Sequence, residues 1–224
     1  FKFNDKLSYL DLRIWGDFSV SSLNNYKALR ILRIYAYGSG LLTNVDQLYG
    51  YDNLESLYLD AGKSDNNIKV PNNLKSLEVH MGYDNAVKVD LSNVDLEYLG
   101  LTYCSNVDID RIEQMDKLNG LELADCTINK DSIDFTNNNS AFDSIVLDNL
   151  KLKNVTGLKN KQVSSIRINN TFIETAPDIP EGVNYLNLNS NNISASFIFQ
   201  LLKSIITSPL YPFKSDDLKS HLST

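Results

Sequence analysis

Along this chain apolar residues, aliphatic in every copy but for Phe142, fill the first, fourth and sixth places of a six-residue unit, and the unit returns nine times with mostly polar or aromatic residues between them. The copies begin at Leu7 (LSYLDL), Leu29 (LRILRI), Leu54 (LESLYL), Leu74 (LKSLEV), Leu96 (LEYLGL), Leu118 (LNGLEL), Phe142 (FDSIVL), Val163 (VSSIRI) and Val183 (VNYLNL). Successive starts lie 22, 25, 20, 22, 22, 24, 21 and 20 residues apart. In an extended segment alternate side chains face opposite ways, so the fourth and sixth places point inward together. The third, fifth, seventh and eighth places are expected to project outward as columns. One unit cannot bury its aliphatic face alone, and stacking on its neighbours gives a continuous core. A repeating solenoid with a parallel sheet along one side is the prediction.

The segments that return from one strand to the next are mixed. Helical spacing joins Ile109, Ile112, Met115 and Leu118, and also Leu41, Val45 and Leu48. The stretches IKVPNNLKSL and TAPDIPEGVNYL carry Pro71, Pro177 and Pro180 and favour an extended path. The asparagine run in DFTNNNSAF, from Asp134 to Phe142, reads as an exposed loop. After Asn192 the repeat gives way to SASFIFQLLKSIITS, where Ser194 or Ser196 can cap a helix carrying Phe197, Leu201, Leu202 and Ile205. A solenoid end exposes its core unless something covers it, so this helix is expected as a C-terminal cap. The domain division is thus a solenoid over 1–193 and a helical cap and tail over 194–224. At the other end Phe1 and Phe3 suggest a short edge strand.

The residues after the sixth place add a family likeness. Four copies continue as LEYLGLTYCSNV with Cys104, LNGLELADCTI with Cys126, VSSIRINNTFI with Thr171 and VNYLNLNSNNI with Asn191. This resembles the leucine-rich-repeat family, in which Asn, Cys or Thr follows the strand at that place. The resemblance spans roughly residues 5 to 193. It implies an α/β solenoid: a curved right-handed superhelix with the parallel sheet on its concave face and short helices mixed with extended segments on its convex face. It also implies that the residue in question sits inside the bend and hydrogen-bonds the backbone of its own and adjoining coils, as a buried turn requires. The first four copies depart from the family by placing Trp15, Tyr37, Gly62 and Gly82 there, and the seventh places Leu150. Irregular turns are expected in the first four.

Composition narrows the field of functions. The chain has 224 residues, 42% hydrophobic and 22% charged, which suits one elongated domain. Its 21 basic and 28 acidic residues give a net charge of -7, which argues against nucleic acid as a partner. No apolar run is long enough for a spanning helix, so no membrane role is expected. The chain starts at Phe1 rather than Met, so a processed or excised chain is expected. Cys104 and Cys126 lie one period apart and should stack at the turn, reduced, although neighbouring coils are close enough for a bridge. Two unbridged cysteines suit a reducing compartment, so the compartment stays open with the cytoplasm favoured.

Enzyme-like fragments fail on spacing. AGKS at Ala61 to Ser64 has Leu57 where a phosphate-binding loop needs glycine. Asp108 and Asp110 lack the glycine and terminal glutamate of a calcium loop and suit a helix start. His80 and His221 stand at no metal-ligand or nucleophile-base spacing. The sequons at Asn138, Asn154, Asn169 and Asn192 are what an asparagine-rich chain generates by chance. No catalytic residue, metal or cofactor is expected.

Function then falls to the outward columns. The fifth places hold Asp11, Arg33, Tyr58, Glu78, Gly100, Glu122, Val146, Arg167 and Asn187, and the seventh hold Arg13, Tyr35, Asp60, His80, Thr102, Ala124, Asp148, Asn169 and Asn189. The first five copies add Tyr9, Ile31, Met81, Tyr98 and Tyr103, while the last three are mostly Asn, Ser and Asp. Tyr and Arg anchor interfaces because each joins a large contact area to a polar end. The candidate docking residues are Arg33, Tyr35, Tyr58, Glu78, His80, Tyr98 and Tyr103. The expected function is a monomeric, non-enzymatic module binding a protein or peptide partner. Two more specific readings are the substrate-recognition part of an F-box-type ubiquitin-ligase receptor and a bacterial or pathogen surface or effector protein of the internalin-like kind.

Overall fold

The computed structural model describes residues 5–83, 87–175 and 177–193. The expected cap helix and the Phe1 and Phe3 segment lie outside them. Within them the chain is a parallel-strand β-solenoid. Nine strands, one per coil, stack in sequence order: Tyr9–Trp15, Ile31–Thr43, Ser56–Ser64, Ser76–Met81, Tyr98–Thr102, Gly120–Ala124, Phe142–Asp148, Val163–Asn169 and Tyr185–Asn187. A tenth strand, Phe18–Ser19, joins the sheet beside Leu42 and Thr43.

Register follows the repeat. In every neighbouring pair, equivalent places are partners: Leu32 with Leu57, Leu57 with Leu77, Leu77 with Leu99, Leu99 with Leu121, and so on to Ile166 with Leu186. One slip would turn each aliphatic pair to the solvent face, so the core fixes the alignment. The inward columns, from Leu32 and Ile34 to Ile166 and Ile168, are fully buried. Leu10, Leu12, Leu186 and Leu188 in the end coils are partly buried against the same core.

The opposite wall is part helix and part extended chain. Its one α-helix among the described residues, Ile109–Glu113, buries Ile109 and Ile112, and the Asp108 side chain caps it by accepting from the Arg111 amide at 3.3 Å. Two 3-10 helices span Val20–Leu23 and Val45–Gly50. Elsewhere short parallel pairs form, Ile68–Lys69 with Val89–Asp90 and Ser132–Asp134 with Asn154–Thr156. Leu41, grouped with Val45 and Leu48 by helical spacing, is instead a strand residue, because the second strand runs on to Thr43.

The Asp134 to Phe142 segment is in part the exposed loop expected of it, with Thr136, Asn137, Asn139 and Ala141 exposed, but Asn138 and Ser140 turn inward. Asn138 is 1% exposed and donates its amide to the Glu113 and Met115 carbonyls at 3.1 and 3.0 Å, while its own oxygen accepts from the Ser140 amide at 2.8 Å. The Ser140 hydroxyl also reaches the Met115 carbonyl, at 2.8 Å. Side-chain amides here satisfy the backbone of a buried turn. The sequon at Asn138 is thereby spent on structure.

Candidate functional site

Two kinds of turn set the width of the outward face. In coils five to nine the eighth place is left-handed: Tyr103, Asp125, Asn149, Asn170 and Ser190 have φ of 55°, 53°, 50°, 49° and 56°. The first four of these donate their amides forward, to the carbonyls of Ala124, Asp148, Asn169 and Asn189 at 3.0 to 3.1 Å. The next residue then enters the bend. The Cys104 thiol lies 3.9 Å from the Val79 carbonyl oxygen, the Cys126 thiol 3.4 Å from that of Leu101, and the Asn191 amide 2.6 Å from that of Ile168. Each of these acceptors is the sixth place of the preceding coil. Both cysteines are free and buried, and contact with the Cys126 sulfur, together with burial, pushes the Cys104 thiol well above the ordinary thiol range.

In coils one to four the strand runs on instead. Alternation continues, so the eighth-place Ala36, Ala61 and Met81 turn inward and are buried, which corrects the outward direction expected of Met81. The chain leaves these strands along a column of glycines. A Cβ on Gly40 would lie 2.5 Å from the Gly16 carbonyl oxygen, one on Gly62 2.9 Å from Ser39 backbone and one on Gly82 2.6 Å from the Gly62 oxygen. Backbones from successive coils meet where side chains would stand. In the second coil the register shifts between Ala36 and Leu41 to accommodate the approach.

Because the strands run on, the ninth place also faces outward, and Trp15 and Tyr37 join the face. Rings then follow one another across four coils. Centroids are 5.4 Å apart for Trp15 and Tyr37, 6.2 Å for Tyr37 and Tyr35, 4.7 Å for Tyr35 and Tyr58, and 5.3 Å for Tyr58 and His80. The Arg13 guanidinium lies over the Tyr35 ring, 5.2 Å from its centroid. Trp15 at the end of the row is 84% exposed. Reading Trp15 and Tyr37 only as departures from the family turn hid them; the signal available was the aromatic pair at one place in consecutive copies.

Tyr98 lies beyond the row, over two glycines. A Cβ on Gly120 would meet its Cδ2 at 2.5 Å and one on Gly100 its Cε1 at 3.3 Å, so the ring occupies the space that side chains at both places would take. Burial, then Glu78 and Glu122, pushes its hydroxyl up to about 12. Burial, then Asp60, Tyr35 and Glu78, does the same for the Tyr58 hydroxyl, also to about 12. His80 donates or accepts at Thr102 Oγ1, 3.0 Å away, and its Nε2 is 3.7 Å from Glu78 Oε2. The nearby Glu78 carboxylate outweighs burial and raises its pKa, with Asp60 and Glu122 adding to the effect.

Of the seven candidate residues, Tyr35, Tyr58 and His80 form one unbroken row, with Glu78 and Tyr98 beside it. Arg33 stands exposed between Asp11 and Tyr58 in register. Tyr103 is set apart, at the strand end in a left-handed turn and 37% exposed. Among the described residues no group of three or more His, Cys, Asp or Glu is placed to hold a metal, and no helix is long and apolar enough to cross a membrane. No family model, characterised protein or solved structure matches the chain.

Proposed function

We propose that this chain is a leucine-rich-repeat protein that works as a non-enzymatic docking module, binding a protein or peptide partner on the outward face of its parallel sheet. Support for the family comes from the period, the three aliphatic columns and the turn residue that bonds the preceding coil. The observation that carries the function is the row Trp15, Tyr37, Tyr35, Tyr58, His80, an aromatic surface with polar tips held on a rigid sheet. Such rings bring large contact area at low cost in side-chain entropy. Side chains mounted on strands whose register is locked by a buried core are already in place before a partner arrives, which lowers the ordering cost of association.

The test is an affinity capture from matched lysate with the native chain and with a Tyr35→Ala, Tyr58→Ala, Tyr98→Ala variant, both shown folded by circular dichroism. Any partner identified is then titrated in purified form. Docking on this face predicts that the variant loses about tenfold or more in affinity for that partner. Undiminished binding by the variant would place the site elsewhere and sink the proposal.

A further inference from the structure

The sheet face carries its charge unevenly. In coils three to six the outward residues include Asp60, Glu78 and Glu122, and among the described residues no lysine or arginine ion-pairs with any of them. All three act on one place. In register Tyr58 pairs with Glu78 and Asp60 with His80, Glu78 Oε2 lies 3.7 Å from His80 Nε2, and Glu78 and Glu122 flank Gly100, over which the Tyr98 ring lies. Two tyrosine rings and three carboxylates therefore surround His80, and Arg33, in register with Tyr58 at the edge of the patch, ion-pairs with none of the three acids.

The other end of the aromatic row shows what such a patch holds. There the chain's own Arg13 lies over the Tyr35 ring at 5.2 Å and ion-pairs with Asp11 at 3.4 Å, satisfying ring and carboxylate together. A guanidinium suits this arrangement because its plane stacks on a ring while its edge donates to an acid. One coil further on, Tyr58 with Asp60 and Glu78 repeats the ring and carboxylate set, and among the described residues no lysine or arginine lies over the Tyr58 ring or ion-pairs with either acid. We infer that this part of the face takes a basic peptide segment, whose arginine or lysine side chains stack on Tyr58 and Tyr98 and pair with Asp60, Glu78 and Glu122. The inference rests on the docking function proposed above and names its partner's chemistry. Parallel strands set equivalent residues of successive coils about 4.8 Å apart, so basic residues at alternate positions of an extended peptide, roughly 6.6 Å apart, can reach carboxylates on neighbouring coils.

The experiment is a fluorescence-polarisation titration with labelled deca-arginine, deca-glutamate and a glycine-serine decapeptide, with cellohexaose as a competitor, at about 150 mM salt to screen long-range attraction. It compares the native chain, the Asp60→Asn, Glu78→Gln, Glu122→Gln variant, and a control of equal charge change, Asp46→Asn, Asp52→Asn, Asp178→Asn, whose sites are exposed and off the sheet. The expected result is binding of deca-arginine alone, weakened about tenfold or more in the first variant and under about twofold in the control. Equal loss in both variants would mean attraction to net charge, overturning the inference while leaving face docking standing. Binding of the neutral or acidic peptide that the Tyr35, Tyr58, Tyr98 variant loses would also overturn it and keep the docking function. Displacement by cellohexaose, or no binding to any probe, would overturn it as well.

Discussion

The first four coils and the last five share one core and differ in how they leave it. Both halves bury the same fourth and sixth places, yet the strands run 7, 13, 9 and 6 residues in the first four coils and 5, 5, 7, 7 and 3 in the rest. A left-handed residue stands at the eighth place of each later coil, and the next side chain fills the bend, hydrogen-bonding at Cys104, Cys126, Thr171 and Asn191 and apolar at Leu150. In the early coils a column of glycines lets the backbones close on one another, and in the first two the strand carries a further outward side chain at the ninth place, Trp15 and Tyr37. The aromatic row stands where that extra width exists. Turn chemistry, rather than the core, sets how much surface each coil offers.

The core should be indifferent to this division. Leu57→Ala in the early half and Leu121→Ala in the later half, both residues 1% exposed, should each cost about 2 to 5 kcal/mol, and urea unfolding should give similar losses. A loss confined to one half would mean that the two halves do not share a cooperative core. The turns should answer in opposite senses. Gly82→Ala places a methyl against the Gly62 carbonyl and should cost about 1 to 3 kcal/mol, whereas Tyr103→Gly relieves a left-handed tyrosine and should stabilise by about 1 kcal/mol. Thermal melts of the two variants moving the same way would erase the distinction. The smallest effect is expected at His80. Its pKa is raised in the folded chain, first by the Glu78 carboxylate beside it, so its contribution is full below the ordinary imidazole range and fades as pH rises through the folded value. Against His80→Gln, the native chain should lose less than about 1 kcal/mol of relative stability between about pH 5.5 and 8.5. A gain over that range would contradict the Glu78 contact.

The inward columns were legible because three aliphatic places recur in every copy, and burial demands them whatever the turn does. The outward columns were legible for the same reason, since register follows the core: Tyr58, Glu78 and Tyr98 fall where alternation places them. Trp15 and Tyr37 were not, because their direction depends on the strand continuing past the seventh place, and that depends on Gly16, Gly40, Gly62 and Gly82 meeting across coils. The posture of Tyr98 needs two glycines, Gly100 and Gly120, that belong to different copies. Asn138 looked like loop material because asparagine favours turns; that its amide would serve the carbonyls of a segment more than 20 residues earlier could be read from no local pattern.

The forward bonds from Tyr103, Asp125, Asn149 and Asn170 tie each later turn to the coil that follows it. Pulled from its C-terminal end, such a stack should give way one coil at a time. Each release would free 20 to 25 residues, a contour of roughly 70 to 85 Å, and would strip the previous turn of its acceptor. A force trace through the later half would then be a staircase of nearly equal steps, with its tread set by the period of the sequence.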